Sequence, residues 1–320
     1  MSTETTAPLR LPPARPAERA PCDVTEHRLS FDGFGYLCRV VWQDAAVTEP
    51  LVLLGGSSQD RFSWARHEER LAEACTVVTL DLPGYGAAEP LPTRYGIDFL
   101  AAAVRHTLYE LGMAKVNLMG ACFGGAIALR FAQHYPDALR RLMLAGMTTR
   151  VPREYAEAVP RWLRMLDEDR REEMAGQLVA RFMSPSGARR IRRHAAIARL
   201  LHQQFMAQTP RQIGMAVVDH NVRLLNHEWY RPEPVPPLSA LVFTGEYDSL
   251  TTPRMGRETA AQLPGAAFLT VRDADHLVHM ERIEEFTDLL LRFCTDRPID
   301  DLPYCHPVEY PGAGPERTGP

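Results

Sequence analysis

The stretch Leu118-Met119-Gly120-Ala121-Cys122-Phe123-Gly124-Gly125 limits the fold more than any other part of the chain. An apolar run, 116–119, leads in, and a run rich in small residues, 124–133, leads out at helical spacing. A strand that turns sharply into a helix is therefore predicted, the recurring joint of α/β architectures. Glycine is needed at 120 and 124 because a side chain there would crowd the neighbouring strand and helix. The turn lifts the Cys122 sulfur to the helix N-terminus, where backbone amides and the helix dipole favour a thiolate. Cys122 is thus a candidate nucleophile. The plainer reading of Gly-x-Cys-x-Gly alone is a buried structural cysteine in a glycine-rich turn.

Residues downstream separate the two readings. Leu241-Val242-Phe243-Thr244-Gly245-Glu246-Tyr247-Asp248 reads as a strand that ends in an acidic loop. Phe268-Leu269-Thr270-Val271 reads as another strand, followed by Arg272-Asp273-Ala274-Asp275-His276. Nucleophile, acid and histidine then occur in the order Cys122, Asp248, His276, each after a strand, which is the chain order of an α/β-hydrolase triad.

On these residues the chain resembles the α/β-hydrolase superfamily over about 27–295. Asp81-Leu82-Pro83-Gly84-Tyr85-Gly86 looks like that family's D-x-P-G-x-G loop, and Leu53-Leu54-Gly55-Gly56-Ser57 its oxyanion loop. Two positions depart from the pattern. Gly55 stands where histidine is common, and Asp275 replaces the glycine that usually precedes the catalytic histidine. Neither departure removes a reacting group. The resemblance implies an α/β-hydrolase fold, with a mostly parallel eight-stranded sheet flanked by helices and an inserted helical cap.

Composition narrows the function classes. With 320 residues, 45% of them hydrophobic, the chain can bury one large α/β core with an inserted subdomain. A net charge of −4 gives no support for nucleic-acid binding as the main role. The 1–21 segment lacks an apolar signal region, and no stretch is long and apolar enough to span a bilayer. A cytoplasmic location is therefore expected, which would keep the six cysteines, and Cys122 among them, reduced. No metal-binding or dinucleotide-binding pattern appears, so neither a metal nor a cofactor is expected. His276-Leu277-Val278-His279 reads as a catalytic histidine and a bystander rather than as a metal pair.

The periodicity gives the layout. Residues 1–23 and 298–320 are Pro-rich and read as tails. Residues 24–146 and 238–297 form the core. An opening antiparallel pair is expected at 28–30 and 37–42. Buried parallel strands follow at 51–54, 76–80, 116–119, 141–144, 241–244 and 268–271. Core helices are expected at 62–74, 97–111, 124–134, 253–262 and 283–293. From 147 to 237 strand runs vanish and apolar residues recur at helical spacing, as in a cap. Trp162, Phe182 and Phe205 are its candidate substrate-binding residues; packing against the core is the plainer role for its aromatic and methionine stripe. Arg189, Arg190, Arg192, Arg193 and Arg199 read either as a solvated face or as a docking patch for an acidic acyl carrier protein or coenzyme A phosphates.

The resemblance assigns the roles. His276 acts as general base on Cys122, and Asp248 fixes its tautomer. The amides of Ser57 and Phe123 form an oxyanion hole. Glu246 is the alternative acid and His279 the alternative base. A thiolate exchanges thioester for thioester at little cost, so the cysteine leans toward acyl transfer. The chain looks most like bacterial enzymes that handle 3-hydroxyacyl groups on carrier protein in rhamnolipid and polyhydroxyalkanoate precursor synthesis. Those relatives carry serine in the turn. Polyhydroxyalkanoate synthases carry cysteine, as do dienelactone hydrolases. The expected activity is transfer of a 3-hydroxyacyl group from a carrier-protein or CoA thioester, through acyl-Cys122, to a hydroxyl. The alternatives are a thioesterase, ester or lactone hydrolase with the same triad, and a non-catalytic receptor on the same fold.

Overall fold

The computed structural model describes residues 22–185 and 188–312. Nearly all of the expected N-terminal tail, 1–21, lies outside the described residues, as do 313–320. β1 (Val24–Phe31) and β2 (Phe34–Val41) form a hairpin. Its two-residue turn, Asp32-Gly33, has positive φ at both positions, the geometry that matches strand twist. Six strands follow: β3 (Leu51–Leu54), β4 (Val77–Asp81), β5 (Val116–Ala121), β6 (Leu139–Ala145), β7 (Ser239–Gly245) and β8 (Ala267–Val271). They join in the order β1-β2-β4-β3-β5-β6-β7-β8, parallel from β4 onward. The mostly parallel eight-stranded sheet expected from the sequence is thus present.

The central strands are apolar on both faces because helices cover both. Strand alternation sends Val52, Leu54, Val116 and Leu118 to one core, and Leu51, Leu53 and Met119 to the other. The first core is closed by α2 (Ile97–Glu110) and α3 (Phe123–His134). The second is closed by α1 (Ala65–Leu71) and α11 (Ile283–Cys294). The helix expected at 62–74 is shorter than its apolar pattern, spanning only α1.

Between β6 and β7 the chain leaves the sheet as helices. They are α4 (Arg153–Asp167), α5 (Arg171–Phe182), α6 (His194–Ala207), α7 (Pro210–Ile213), a π-helical turn (Gly214–Asp219) and α8 (His220–Asn226). The remaining helices, α9 (Pro253–Ala260) and α10 (Val278–Glu281), flank β8.

One sequence expectation needs correction. Residues 298–320 read as a tail in the sequence, yet their described part, 298–312, straps the free edge of β8. Phe268 and Glu309 exchange backbone hydrogen bonds, His306 N–H donates to Thr270 O, and Arg272 N–H donates to Tyr304 O. The segment lacks periodicity because its order comes from the strand it covers, whose edge would otherwise be open.

Strand order reverses around β3, which lies between β4 and β5. In an open parallel sheet such a reversal leaves a crevice at the strand C-termini, where ligands bind. The loop after β3 and the turn after β5 both open there.

Candidate active site

Cys122 occupies the strained turn between β5 and α3, with φ 51° and ψ −117°. A non-glycine residue reaches such backbone angles only where its surroundings impose them. Here they do. A Cβ on Gly120 would come within 2.2 Å of Gly124 O, and one on Gly124 within 2.4 Å of Leu54 O. The Cys122 amide is tied to Ala145 O at 2.8 Å. The thiol stands half-buried at the start of α3. Most other cysteines lie deep in the core, and burial pushes the thiols of Cys38, Cys75 and Cys305 up to about 12. Such thiols are inert.

The loops after β7 and β8 bring the other two residues together. They pack closely because Gly245 has no side chain; a Cβ there would meet Asp275 O at 2.1 Å. Asp248 Oδ2 lies 2.9 Å from His276 Nδ1 and accepts from the hydroxyls of Thr244 (2.8 Å) and Thr251 (2.6 Å). Its Oδ1 accepts the amides of Leu250 and Thr251 at 2.9 and 2.7 Å. Burial would raise the Asp248 pKa, but the charge of His276 and these hydrogen bonds hold it below the usual carboxylate range. Burial would likewise lower His276. Asp248 and Cys122, by charge and by hydrogen bonding, instead raise it well above the ordinary histidine value. With Nδ1 on Asp248, Nε2 is left for Cys122.

Of the two alternatives, His279 lines the same cavity and Glu246 does not. Glu246 turns to the surface, where it accepts from the Asp273 amide at 3.2 Å. His279 is buried against Trp64, ring centroids 5.1 Å apart, and burial with the charges of His67 and His276 lowers it to about 3.

Asp275 has a role that the sequence pattern did not reveal. Its Oδ1 accepts the His276 amide at 2.9 Å, and its Oδ2 accepts the Ser184 amide at 2.6 Å, joining the histidine loop to the helical insert. Glu281 accepts the Asp275 amide in turn. Burial raises Asp275 to about 6 and Glu281 to about 8; neighbouring carboxylates add to both shifts.

A cavity of about 520 Å³ opens over Cys122 and His276. The loop after β3, including Ser57, forms one wall, and Leu277 and Met280 another. The insert supplies Phe182, Leu200, Leu201 and Phe205, together with Gln204 and Gln208. Phe182 also stacks on the His276 ring at 5.7 Å. Phe182 and Phe205 therefore line the cavity. Trp162 does not. It packs inside the insert against Tyr155, 5.1 Å between centroids, with its indole N–H on Gln177 Oε1. Helical periodicity identifies a buried face without telling whether that face meets the core or the cavity. Arg189, Arg192, Arg193 and Arg199 are exposed and outside the cavity wall, and Arg190 donates to the Tyr247 hydroxyl at 3.0 Å.

The amide of Phe123 opens α3, and Gly56, next to Ser57, abuts the turn: a Cβ on Gly56 would be 3.5 Å from Cys122 Cβ. The Ser57 and Phe123 amides are thus on loops that meet at the sulfur. Among the described residues no group of three or more His, Cys, Asp or Glu could hold a metal ion, and no helix is long and apolar enough to cross a membrane.

Residues 49–283 match the family described as alpha/beta hydrolase fold. The chain is 27% identical, over 76% of its length, to the dihydrolipoyllysine-residue acetyltransferase component of the acetoin cleaving system of Pseudomonas putida, of which it covers 63%. It is 33% identical to the soluble epoxide hydrolase of a Corynebacterium, over 39% of this chain and 42% of that one. It thus spans less than two thirds of either protein. Against a 2-hydroxy-6-oxononadienedioate/2-hydroxy-6-oxononatrienedioate hydrolase of Paraburkholderia phymatum it is 26% identical, over 80% of this chain and 90% of that one. The enol-lactonase of Burkholderia xenovorans LB400 shares the fold, with a TM-score of 0.72 at 23% identity over 84% of this chain and all of the lactonase.

Proposed function

We propose, for a chain that belongs to the α/β-hydrolase family, hydrolysis of an ester, lactone or thioester through an acyl-Cys122 intermediate. The observation that supports this reading is the buried His276, held between Asp248 and Cys122 beneath a cavity of acyl-chain size. His276 holds the thiol proton while the sulfur attacks the carbonyl. The amides of Ser57 and Phe123 hold the oxyanion, and the imidazolium returns its proton to the leaving group. Water, deprotonated by His276, then releases the acid. Asp248 stays ionised and keeps the ring in the tautomer that faces the sulfur. Water ranks ahead of a hydroxyl as acceptor because the Paraburkholderia relative, matched over most of its length, is named a hydrolase.

Transfer to a hydroxyl is the second reading, and two observations favour it. A cysteine exchanges acyl groups with a thioester nearly isoenergetically, and the Pseudomonas relative is named an acetyltransferase component. In this reading a 3-hydroxyacyl thioester is the donor, and the exposed Arg189, Arg192, Arg193 and Arg199 meet an acidic carrier protein.

Intact-protein mass after mixing with a panel of esters, lactones and thioesters tests both. An acyl adduct on Cys122 is expected, lost in Cys122→Ala, followed by free acid that carries oxygen from labelled water. Acylated alcohol as the main product would replace hydrolysis with transfer. No adduct and no turnover with any donor would leave a binding protein.

A further inference from the structure

Gly55, which stands where the family commonly has histidine, marks a different way of holding the loop after β3. A Cβ at Gly55 would lie 2.6 Å from Gln59 Cβ, so only glycine lets Gln59 fold back over the loop. Folded back, Gln59 Oε1 accepts the Gly56 amide at 2.7 Å. Its Nε2 reaches His279 Nε2 at 3.1 Å, 220 residues away in sequence. Because the amide nitrogen can only donate, His279 Nε2 is the acceptor and the ring is neutral. Its low pKa, set first by burial, agrees with that. His279 is itself fixed between Trp64 at 5.1 Å and Phe286 at 6.0 Å.

We propose that Gln59 and His279 form a brace that aims the Ser57 amide at Cys122, which makes both of them positioning residues. The Gly56 amide is consumed by Gln59, so it is unavailable to an oxyanion. The next amide, that of Ser57, takes that role, and its direction follows from where Gln59 holds Gly56. A family histidine replaced by glycine is thus matched by a glutamine from the same loop, with its anchor on α10. The brace rests on the reading of Cys122 as nucleophile.

Two probes of the full chain separate the brace from that reading. Iodoacetamide reports the sulfur alone: a C–S bond forms, iodide leaves, and no oxyanion develops. An alkyl trifluoromethyl ketone reports the hole. The sulfur adds to its carbonyl carbon, the π pair moves to oxygen, and the thiol proton passes to His276. Fluorine NMR and intact mass measure that adduct. Gln59→Ala should weaken the ketone adduct about 10- to 100-fold, below the loss expected for removing an oxyanion donor outright. The iodoacetamide rate and the melting temperature should stay near those of the wild type. Gln59→Glu still offers the Gly56 amide an acceptor and should lose less. His279→Ala should fall between wild type and Gln59→Ala.

The losses should be equal for trifluoroacetone and for a long-chain ketone. A loss confined to the long ketone would make Gln59 a wall contact and overturn the brace. Equal losses in alkylation and adduct formation would reduce it to general disturbance, and an unchanged ketone adduct would remove it. A wild-type protein alkylated at Cys122 but inert to both ketones would sink the oxyanion-loop assignment alone. A wild-type Cys122 that resists iodoacetamide would remove the nucleophile reading and the brace with it.

Discussion

His276 and His279 lie three residues apart after β8, each 7% exposed, and their pKa values move in opposite directions. Burial lowers both. Around His276 it is outweighed by the Asp248 carboxylate, fixed by four other hydrogen bonds, and by Cys122. Around His279 the neighbours are Trp64, Phe286 and two other histidines, which can only reinforce it. Equal burial therefore suits one histidine to the proton-carrying role proposed for it and leaves the other a fixed neutral acceptor. The partners decide the outcome, because desolvation is nearly the same for both.

The largest effect should come from breaking the first region. His276→Ala should reduce steady-state turnover by about 10²–10⁴-fold or more, the range for a general base working with a nucleophile. His279→Ala, acting through Gln59 in the proposed brace, should cost clearly less. Comparable losses in the two variants, with folding intact by circular dichroism, would erase the distinction between carrier and anchor.

Asp248→Asn should follow, because an amide can donate to His276 Nδ1 and hold the wrong tautomer. The loss should approach that of His276→Ala, while Glu246→Gln leaves turnover near wild type. The reverse pattern in measured kcat would move the acid to Glu246. Thr251→Val removes one of the hydroxyls on Asp248 Oδ2 and should cost less than Asp248→Asn.

Glu281 gives a smaller effect, read in stability. Its folded pKa is raised from the usual 4.5 to about 8 by burial, and its Oε1 has no hydrogen-bond partner. A raised folded pKa adds stability below the unfolded value and loses it as pH rises through the folded one. Wild type should therefore lose stability relative to Glu281→Gln between about pH 4.5 and about pH 8, by an amount on the order of a few kcal/mol. Thermal melts across that range measure the slope. A constant difference would show that Glu281 is already ionised at the low end and that the carboxylates beside His276 are less crowded than their burial implies.

These comparisons also show what could be read from the sequence. The turn at Cys122 was legible because Gly120 and Gly124 leave the chain no other path. Asp248 could be preferred over Glu246 by its place in the family pattern. The reason lies in Thr244 and Thr251, whose hydroxyls are placed by the fold and have no spacing signature. Gln59 was invisible for a similar cause, since its partner is 220 residues away. Trp162 packs within the insert instead of lining the cavity, a distinction that periodicity leaves open because it reports burial without direction. The departures at Gly55 and Asp275 were visible as departures, but only the contacts of Gln59 and Ser184 give them meaning.

Each histidine also leans on aromatic side chains, and this gives the smallest expected effect on turnover. Phe182 stacks on His276 from the insert and lines the cavity; Trp64 stands against His279, 1% exposed, within the core. Trp64→Ala should cost about 3–5 kcal/mol of stability, the range for a large buried aromatic, with little change in which acyl chains are accepted. Phe182→Ala should cost less stability, because the ring is only partly buried, and should shift preference toward longer or bulkier acyl groups. Phe205→Ala should shift it the same way, from near the C-terminal end of α6. Relative kcat/KM for a series of acyl lengths, set beside the melting temperature, separates the two behaviours. If Phe182→Ala destabilised without altering the length profile, its ring would belong with Trp64 as packing, and the insert would roof the site without choosing its substrate.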